Sequence, residues 1–138
     1  MDKAAHPPTV LVFAGHDPSG GAGQQAEIEA IAAQGAHAAV AITCLTVQDT
    51  VNVSRVEAVA PALVIAQAEA VLADQRVAAI KLGLLGNGAI VTAVAALLAR
   101  HPLIPVVTDP VLVATGGGQL AEADLIPALK TVLVPRTT

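Results

Sequence analysis

The sequence predicts an α/β fold in which a mainly parallel sheet lies between two layers of helices. Short apolar runs of strand length alternate with longer segments of helical periodicity along the 138 residues. This alternation is typical of βαβ units. The runs are continuously apolar, as expected of parallel strands that are buried on both faces.

Each predicted strand is a short apolar run that turn-forming residues bound. The first is expected to end at Gly15, and the second precedes a polar turn over residues 46–50. Residues 51–59 fit either a loop or a short edge strand. The last run precedes a loop with three consecutive glycines at residues 116–118. The four strands are predicted at residues 10–14, 39–45, 78–85 and 105–109.

Each predicted helix is marked by its periodicity or by a terminal signal. In the first, Ile28 and Ile31 share one face, and Gly35 can cap the C-terminus. Pro61 suits the first turn of the second helix, where its missing N–H is not needed. The side chain of Asn87 can cap the third. The four helices are predicted at residues 22–34, 61–74, 87–101 and 124–134.

The composition excludes several classes of protein. Hydrophobic residues make up 54% of the chain, which argues against disorder. Phe13 is the only aromatic residue and the net charge is −4, which argues against a nucleic-acid partner. The longest apolar stretch, residues 89–99, is shorter than the roughly 20 residues of a membrane span. With Cys44 as the only cysteine and no signal-peptide pattern, we expect a cytoplasmic enzyme domain with no membrane partner.

The carboxyl ends of the predicted strands mark the expected ligand site. In open parallel sheets, ligands bind beyond these ends. Here the ends are followed by residues 15–17, 46–49, 83–85 and 109–113, which are rich in glycine and polar side chains. These segments are distant in sequence, and we expect them to converge in space.

The glycine-rich loop at residues 17–23 (DPSGGAG) links the first strand to the first helix. Glycines and a helix N-terminus allow the backbone to approach an anionic ligand closely. Residues 21–26 also fit the dinucleotide pattern G-x-G-x-x-A, and Asp49 lies where a ribose-binding acid would be expected. Five residues separate the strand from that pattern, which argues against this interpretation. A tight turn without a ligand fits the pattern equally well.

Four motifs in order resemble those of hydroxymethylpyrimidine/phosphomethylpyrimidine kinases, which belong to the ribokinase-like superfamily. Residues 14–23 (AGHDPSGGAG) are similar to the family's glycine loop, and residues 41–50 (AITCLTVQDT) to its A-I-T-A-L-T-x-Q-N-T. Residues 81–85 (KLGLL) are similar to K-I-G-M-L, and residues 109–114 (DPVLVA) to D-P-V-M-V-A. The resemblance implies a ribokinase-like three-layer α/β/α sandwich, incomplete in this chain.

The resemblance also implies an activity and its cofactors. The family transfers the γ-phosphate of ATP, with Mg²⁺, to 4-amino-5-hydroxymethyl-2-methylpyrimidine and then to the monophosphate, in thiamine biosynthesis. The implied partner is therefore a small pyrimidine. The full-length protein is expected to be a homodimer, because relatives commonly are dimers.

The implied substrate pocket includes side chains of two chemical kinds. Gln48 would pair its amide with the pyrimidine edge, since an amide both donates and accepts. Glu27 matches a family Asp that binds the polar edge of the substrate, with a longer side chain here. The backbones of Gly15 and Ala22, and the apolar side chains of Leu84 and Val111 against the ring, complete the implied set.

Asp109 matches an acid near the phosphates and Mg²⁺ in related kinases, and carboxylates suit this hard cation. It is the residue implied, indirectly, for cofactor and metal binding, although an Asp that turns the chain before Pro110 fits the sequence equally. Asp17, also before a proline, is interpreted as structural, and so is Lys81, a strand lysine that could also sit near phosphate.

Two family segments are expected beyond Thr138. A T-P-N segment helps to hold Mg-ATP, and a G-T-G-C segment forms the anion hole and carries or adjoins the catalytic base. We therefore assign residues 1–138 to the N-terminal, substrate-binding part of a single kinase domain, without a catalytic residue, and expect this chain alone to be inactive. Residues 114–117 (ATGG) also replace the family's A-K-S-G, which removes a lysine.

Three alternatives remain at this point. A pyridoxal or pyridoxine kinase of the same superfamily would accept a different ring. A non-catalytic pyrimidine-binding fragment would bind the ligand without turning over ATP. A dinucleotide-dependent oxidoreductase would bind NAD through the glycine loop.

Overall fold

The computed structural model describes residues 6–111 and 123–138 and confirms the predicted α/β class. The described residues contain one five-stranded sheet in the order β3-β2-β1-β4-β5. Four strands are parallel, and β3 runs antiparallel to β2 at one edge. The strands are β1 (Thr9–His16), β2 (His37–Gln48), β3 (Val53–Ala58), β4 (Val77–Leu82) and β5 (Val106–Thr108).

The helices lie on both faces of the sheet, because the chain changes direction at β1. It passes from β1 to its neighbour β2 on one side, and then from β2 across to β4 and β5 on the other. Since crossovers between parallel strands are right-handed, this reversal puts the first helix on one face and the next two on the opposite face. The helices are α1 (Gly23–Ala33), α2 (Pro61–Asp74), α3 (Gly88–Ala99) and α4 (Leu125–Ala128).

The hydrophobic core fills the space between the sheet and the layer of α2 and α3. Leu11 and Phe13 of β1 and Leu82 of β4 are fully buried there, against Val94 and Leu97 of α3. The opposite face is covered less completely: α1 has no buried residue, Ile28 is 38% exposed, and Val107 of β5 is 57% exposed. The expectation that the strands are buried on both faces therefore holds for β1, where Val12 and Ala14 are 0% and 1% exposed on the α1 side, and is wrong for β5.

The strand boundaries differ from the prediction where the site is built. β1 continues through Gly15 to His16, and β2 continues to Gln48, so three of the five residues of the expected polar turn at residues 46–50 are strand. β2 extends because the ambiguous segment forms edge strand β3, which pairs Thr46 with Val56 and Gln48 with Val53. β4 ends early, at Leu82, and the glycines at residues 116–118 lie outside the described residues.

The helix signals in the sequence are confirmed. α2 has the predicted bounds, and Asn87 Oδ1 accepts a hydrogen bond from Ile90 N–H at 3.0 Å. Gly35 and Ala36 close α1 by donating to the carbonyls of the last turn, which is the Schellman arrangement. No helix of the described residues is long and apolar enough to cross a bilayer.

The last predicted helix, residues 124–134, is not continuous. α4 ends at Ala128, and the chain continues as a π-helical turn over Leu129–Leu133 and a 3₁₀ turn over Val134–Arg136. The hydroxyl of Thr131 donates to the Pro127 carbonyl at 2.8 Å, which is the acceptor that an α-helix would offer to the Thr131 N–H. Such competition for a carbonyl slightly destabilises and bends an α-helix.

Gln67 of α2 covers a gap in the edge of β2. Its Oε1 accepts from Ile42 N–H at 3.0 Å, and its Nε2 donates to the Ile42 carbonyl at 3.1 Å. β3 pairs with β2 only from Cys44 onward, so the outward backbone groups of Ile42 have no strand partner. The amide of Gln67 replaces that partner.

We predict that Gln67→Ala lowers the free energy of unfolding by about 1–3 kcal/mol, because it leaves two partly buried backbone groups without hydrogen bonds. Urea denaturation followed by circular dichroism measures the change. Gln34→Ala, at an exposed position after α1, is the matched control and should stay within about 0.5 kcal/mol of the wild type. Equal effects of the two substitutions would contradict the role given to Gln67.

Candidate functional site

The carboxyl ends of the parallel strands surround one cavity of about 360 Å³. It lies where the chain reverses direction across the sheet, the usual position of ligands in open α/β sheets. The predicted convergence of the strand ends is therefore observed. The cavity lining includes all the residues that the sequence proposed for the site: Gly15, Ala22, Glu27, Gln48, Leu84, Asp109 and Val111.

A β-bulge in β2 directs side chains toward this cavity. Ala14 pairs with Ile42, but His16 pairs with Leu45, so β2 carries one more residue than β1 between these two pairs. An extra residue changes which side chains face each side of a sheet. Beyond the bulge, Thr46 and Gln48 line the cavity while Val47 between them is 57% exposed.

The floor of the cavity allows no side chain at Gly15. A Cβ atom there would lie 2.8 Å from Cys44 Sγ and 3.3 Å from the Leu84 side chain. Gly15 is buried, so its backbone and these two side chains form a closed surface. Burial also raises the pKa of the Cys44 thiol, which keeps this group neutral.

Asp17 holds the glycine loop in shape. Its Oδ1 accepts from Ser19 N–H at 2.8 Å and from the Ser19 hydroxyl at 2.7 Å, and its Oδ2 accepts from Ala22 N–H at 2.9 Å. Burial opposes ionisation, but these hydrogen bonds outweigh it and lower the pKa of Asp17. The structural interpretation of Asp17 is correct, and the N–H of Ala22 is already engaged by it.

The same loop packs onto the end of β1 at Gly23. Its φ of +59° is a conformation that favours glycine, and a Cβ atom there would collide with the Gly15 carbonyl. The second glycine of the apparent dinucleotide pattern therefore serves this close backbone contact. Asp49, the acid of that pattern, accepts from Val51 and Asn52 N–H at 2.8 Å each and shapes the β2–β3 turn. The hydrogen bonds from Asn52 and Val51 lower the pKa of Asp49.

Glu27 and Lys81 form an ion pair across the cavity wall, between α1 and β4. Their side chains are 22% and 21% exposed, so the pair is partly buried. Glu27 is therefore not an exposed helix carboxylate, and the Lys81 ammonium is engaged by it. A ligand that contacts Glu27 meets a carboxylate whose charge is already compensated.

Asp109 is the cavity carboxylate without a side-chain partner among the described residues. Asp17 and Asp49 accept hydrogen bonds from backbone N–H groups in the turns, and Glu27 forms the ion pair with Lys81. Asp109 is exposed just beyond β5, where its N–H donates to the Leu82 carbonyl at 2.9 Å. Within residues 6–111 and 123–138, no three His, Cys, Asp or Glu side chains cluster so that they could hold a metal ion by themselves.

The place of Thr46 in the site is not evident from the sequence. Thr46 is buried, lines the cavity and contacts both His16 and Gln48, whereas the sequence predicts a polar turn at this position. The available signal was its spacing of two from Gln48, which puts both side chains on one face of a strand. This spacing argument applies only within a strand, and the second strand is predicted to end at Leu45.

Comparison with known proteins identifies relatives that match nearly the whole chain. A family model described as phosphomethylpyrimidine kinase matches residues 17–138. A hydroxymethylpyrimidine/phosphomethylpyrimidine kinase of Synechococcus elongatus is 44% identical over 132 residues, which are 95% of this chain and 49% of that protein. The corresponding Mycobacterium tuberculosis protein is 41% identical over 133 residues, 96% of this chain and 48% of its own length. The chain thus spans about half the length of these relatives.

Solved structures agree with this relationship. A phosphomethylpyrimidine kinase from Clostridium difficile has a TM-score of 0.85 and 30% identity, over 95% of this chain and 56% of that one. The pyridoxal kinase of Staphylococcus aureus in complex with pyridoxal has a TM-score of 0.82 and 28% identity, over 96% of this chain and 48% of that one.

We predict that Asp17→Asn lowers the free energy of unfolding at pH 7 by about 1–3 kcal/mol. The asparagine NH₂ cannot accept a hydrogen bond, so one of the backbone N–H donors loses its acceptor. The folded-state pKa of Asp17 is below its unfolded value, so the ionised carboxylate stabilises the fold above pH about 4. This contribution is lost as the pH falls through the folded-state pKa. Urea denaturation from pH 7 to pH 3 should show the wild type and the variant converging at low pH.

Asp74→Asn, at the exposed C-terminus of α2, is the control and should stay within about 1 kcal/mol of the wild type throughout, because a carboxylate at a helix C-terminus is only weakly unfavourable. A difference between the wild type and Asp17→Asn that is constant over this pH range would contradict the assigned role of the carboxylate.

We predict a coupling energy of about 1 kcal/mol or more between Glu27 and Lys81. Water and salt screen the attraction within a partly buried ion pair less than within an exposed one, so its coupling energy is larger. A double-mutant cycle of Glu27→Gln and Lys81→Met, read out by urea denaturation, measures it. The exposed pair Arg55 and Glu57, treated in the same way, should couple within experimental error of zero. A coupling as small as that of the control pair would contradict the prediction.

Proposed function

The chain belongs to the phosphomethylpyrimidine kinase family, and on this premise we propose that it forms the pyrimidine-binding part of an ATP-dependent kinase. The proposed substrates are 4-amino-5-hydroxymethyl-2-methylpyrimidine and its monophosphate, in thiamine biosynthesis. The observation that carries the proposal is the convergence of four separate sequence motifs on one cavity. Because the chain spans about half of its curated relatives, the activity of the whole protein is part of this proposal.

The cavity has the chemistry that a small aminopyrimidine requires. Its volume of about 360 Å³ suits a small molecule. Leu84 and Val111 offer apolar surface to the faces of a ring, and the Gln48 amide offers both a donor and an acceptor to its edge. Glu27, compensated by Lys81, supplies a further polar contact without adding net charge to the pocket.

The residues of the chain also fit the proposed cofactors. Mg²⁺ is usually held by one or two carboxylates together with phosphate oxygens, so the carboxylate of Asp109, which has no side-chain partner among the described residues, fits such a role. When bound, Mg²⁺ neutralises charge on the phosphates of ATP. The described residues contribute the binding and orientation of the acceptor, which phosphoryl transfer requires. The resemblance implies that the catalytic base and the anion hole follow these motifs in the family.

Pyridoxal is the alternative acceptor, supported by the fold that the chain shares with a pyridoxal kinase. The pyrimidine is favoured because the matching family and the relatives with over 40% identity carry that name. The proposed homodimer and a cytoplasmic location stay predictions.

The proposal is tested by calorimetric titration of the protein with the aminopyrimidine, pyridoxal and NAD. We expect the aminopyrimidine to bind at least about tenfold more tightly than pyridoxal, and NAD not to bind. Gln48→Ala should weaken aminopyrimidine binding about tenfold, the value of one lost hydrogen-bonding group, while the exposed Gln34→Ala should not change it.

Tighter binding of pyridoxal would promote the alternative acceptor. Aminopyrimidine binding that Gln48→Ala leaves unchanged would remove Gln48 from the site. With Mg-ATP added, we expect no ADP release from residues 1–138 alone. ADP release that depends on the pyrimidine would show phosphoryl transfer and contradict that expectation.

A further inference from the structure

Thr46 lies between two groups that it cannot serve as a donor at the same time. Its Oγ1 is 2.8 Å from the His16 carbonyl oxygen and 2.7 Å from the Gln48 side-chain amide, at the atom placed as Oε1. Thr46 is only 8% exposed, so water does not replace a missing partner. A hydroxyl has one hydrogen, and both neighbouring oxygens would require it.

The conflict has one consistent solution. A backbone carbonyl only accepts, so the Thr46 hydroxyl must donate to His16, because two oxygens 2.8 Å apart with no hydrogen between them repel each other. The Gln48 atom next to Thr46 must then be a donor, which is Nε2. The two ends of a glutamine amide have nearly the same shape, and the hydrogen-bond network decides which end occupies which position.

We propose that Thr46 is a positioning residue that fixes the direction of the Gln48 amide, and thereby sets which ligand edge the cavity accepts. One N–H of Gln48 donates to Thr46. The carbonyl oxygen and the second N–H remain for a ligand, in a fixed order. The preferred edge offers a donor to the oxygen and an acceptor to the N–H, as an exocyclic amino group beside a ring nitrogen does.

Fixing the direction of the Gln48 amide also makes the site selective against a ligand edge in which the donor and the acceptor are exchanged. A 4-oxopyrimidine carries an acceptor in place of the amino group and a ring N–H in place of the acceptor. An amide that could turn around would bind both rings, whereas an amide held by Thr46 binds only one without leaving polar groups unpaired. This ligand specificity rests on the proposed function, but the orientation of the amide does not.

The orientation is measured directly by NMR of the protein without ligand. The Gln48 side-chain NH₂ signals are assigned by their loss in Gln48→Ala. We expect nuclear Overhauser contacts from these protons to the Thr46 side chain and slowed exchange with solvent, and we expect Thr46→Ser to retain the slowed exchange. Thr46→Val, which has nearly the same shape but no hydroxyl, should lose it. If the wild type shows no such contacts, or Thr46→Val keeps the protection, the proposal is overturned.

The specificity is measured by calorimetry with 4-amino-5-hydroxymethyl-2-methylpyrimidine and its 4-oxo counterpart. We expect the wild type and Thr46→Ser to prefer the amino compound at least about tenfold, and Thr46→Val to reduce that preference to about threefold or less. An unchanged ratio in Thr46→Val, with its circular dichroism spectrum intact, would overturn the selectivity. If the wild type binds neither compound, the proposed substrate is wrong, and so is the selectivity derived from it, while the NMR result still decides the orientation of Gln48.

Discussion

The close approach of β1, β2 and the glycine loop is the constraint on which the rest of the site depends. No side chain fits at Gly15, because the Cys44 and Leu84 side chains occupy the space. None fits at Gly23, because a Cβ atom there would collide with the Gly15 carbonyl. This contact joins the first strand, the bulged second strand and the start of α1 into one rigid corner. Interiors packed in this way have little freedom to deform, so the polar groups around the corner are held in fixed relative positions.

The polar groups of the site are connected before any ligand arrives. Asp17 ties the glycine loop together, the Glu27 and Lys81 ion pair joins α1 to β4, and Thr46 links the end of β1 to Gln48. Such preorganisation lowers the cost of ordering side chains when a ligand binds. Because Asp17, Glu27 and Lys81 are engaged in this way, Asp109 is the cavity carboxylate that has no side-chain partner within residues 6–111 and 123–138.

The fold class, the bounds of α2 and seven residues of the cavity lining could be predicted from the sequence, because each depends on local signals or on short motifs. Asn87 and Gly35 act as caps through contacts within a few residues, which the sequence shows directly. The bulge opposite Gly15, the extension of β2 to Gln48 and the pairing of Glu27 with Lys81 depend on segments that are distant in sequence. The role of Thr46 cannot be predicted for that reason, since only the pairing of β2 with β3 shows that it belongs to a strand.

The central claim, that a pyrimidine ring binds at the carboxyl ends of the parallel strands, is tested most directly by NMR. ¹H–¹⁵N spectra of the protein would be recorded while 4-amino-5-hydroxymethyl-2-methylpyrimidine is added. The account predicts saturable shifts of the backbone amides of Gly15, Gly23 and Gly83 and of the Gln48 side chain, while Thr9, His37 and Arg76 at the opposite end of the sheet stay unchanged. Shifts confined to that opposite end, or no shifts at saturating ligand, would contradict it.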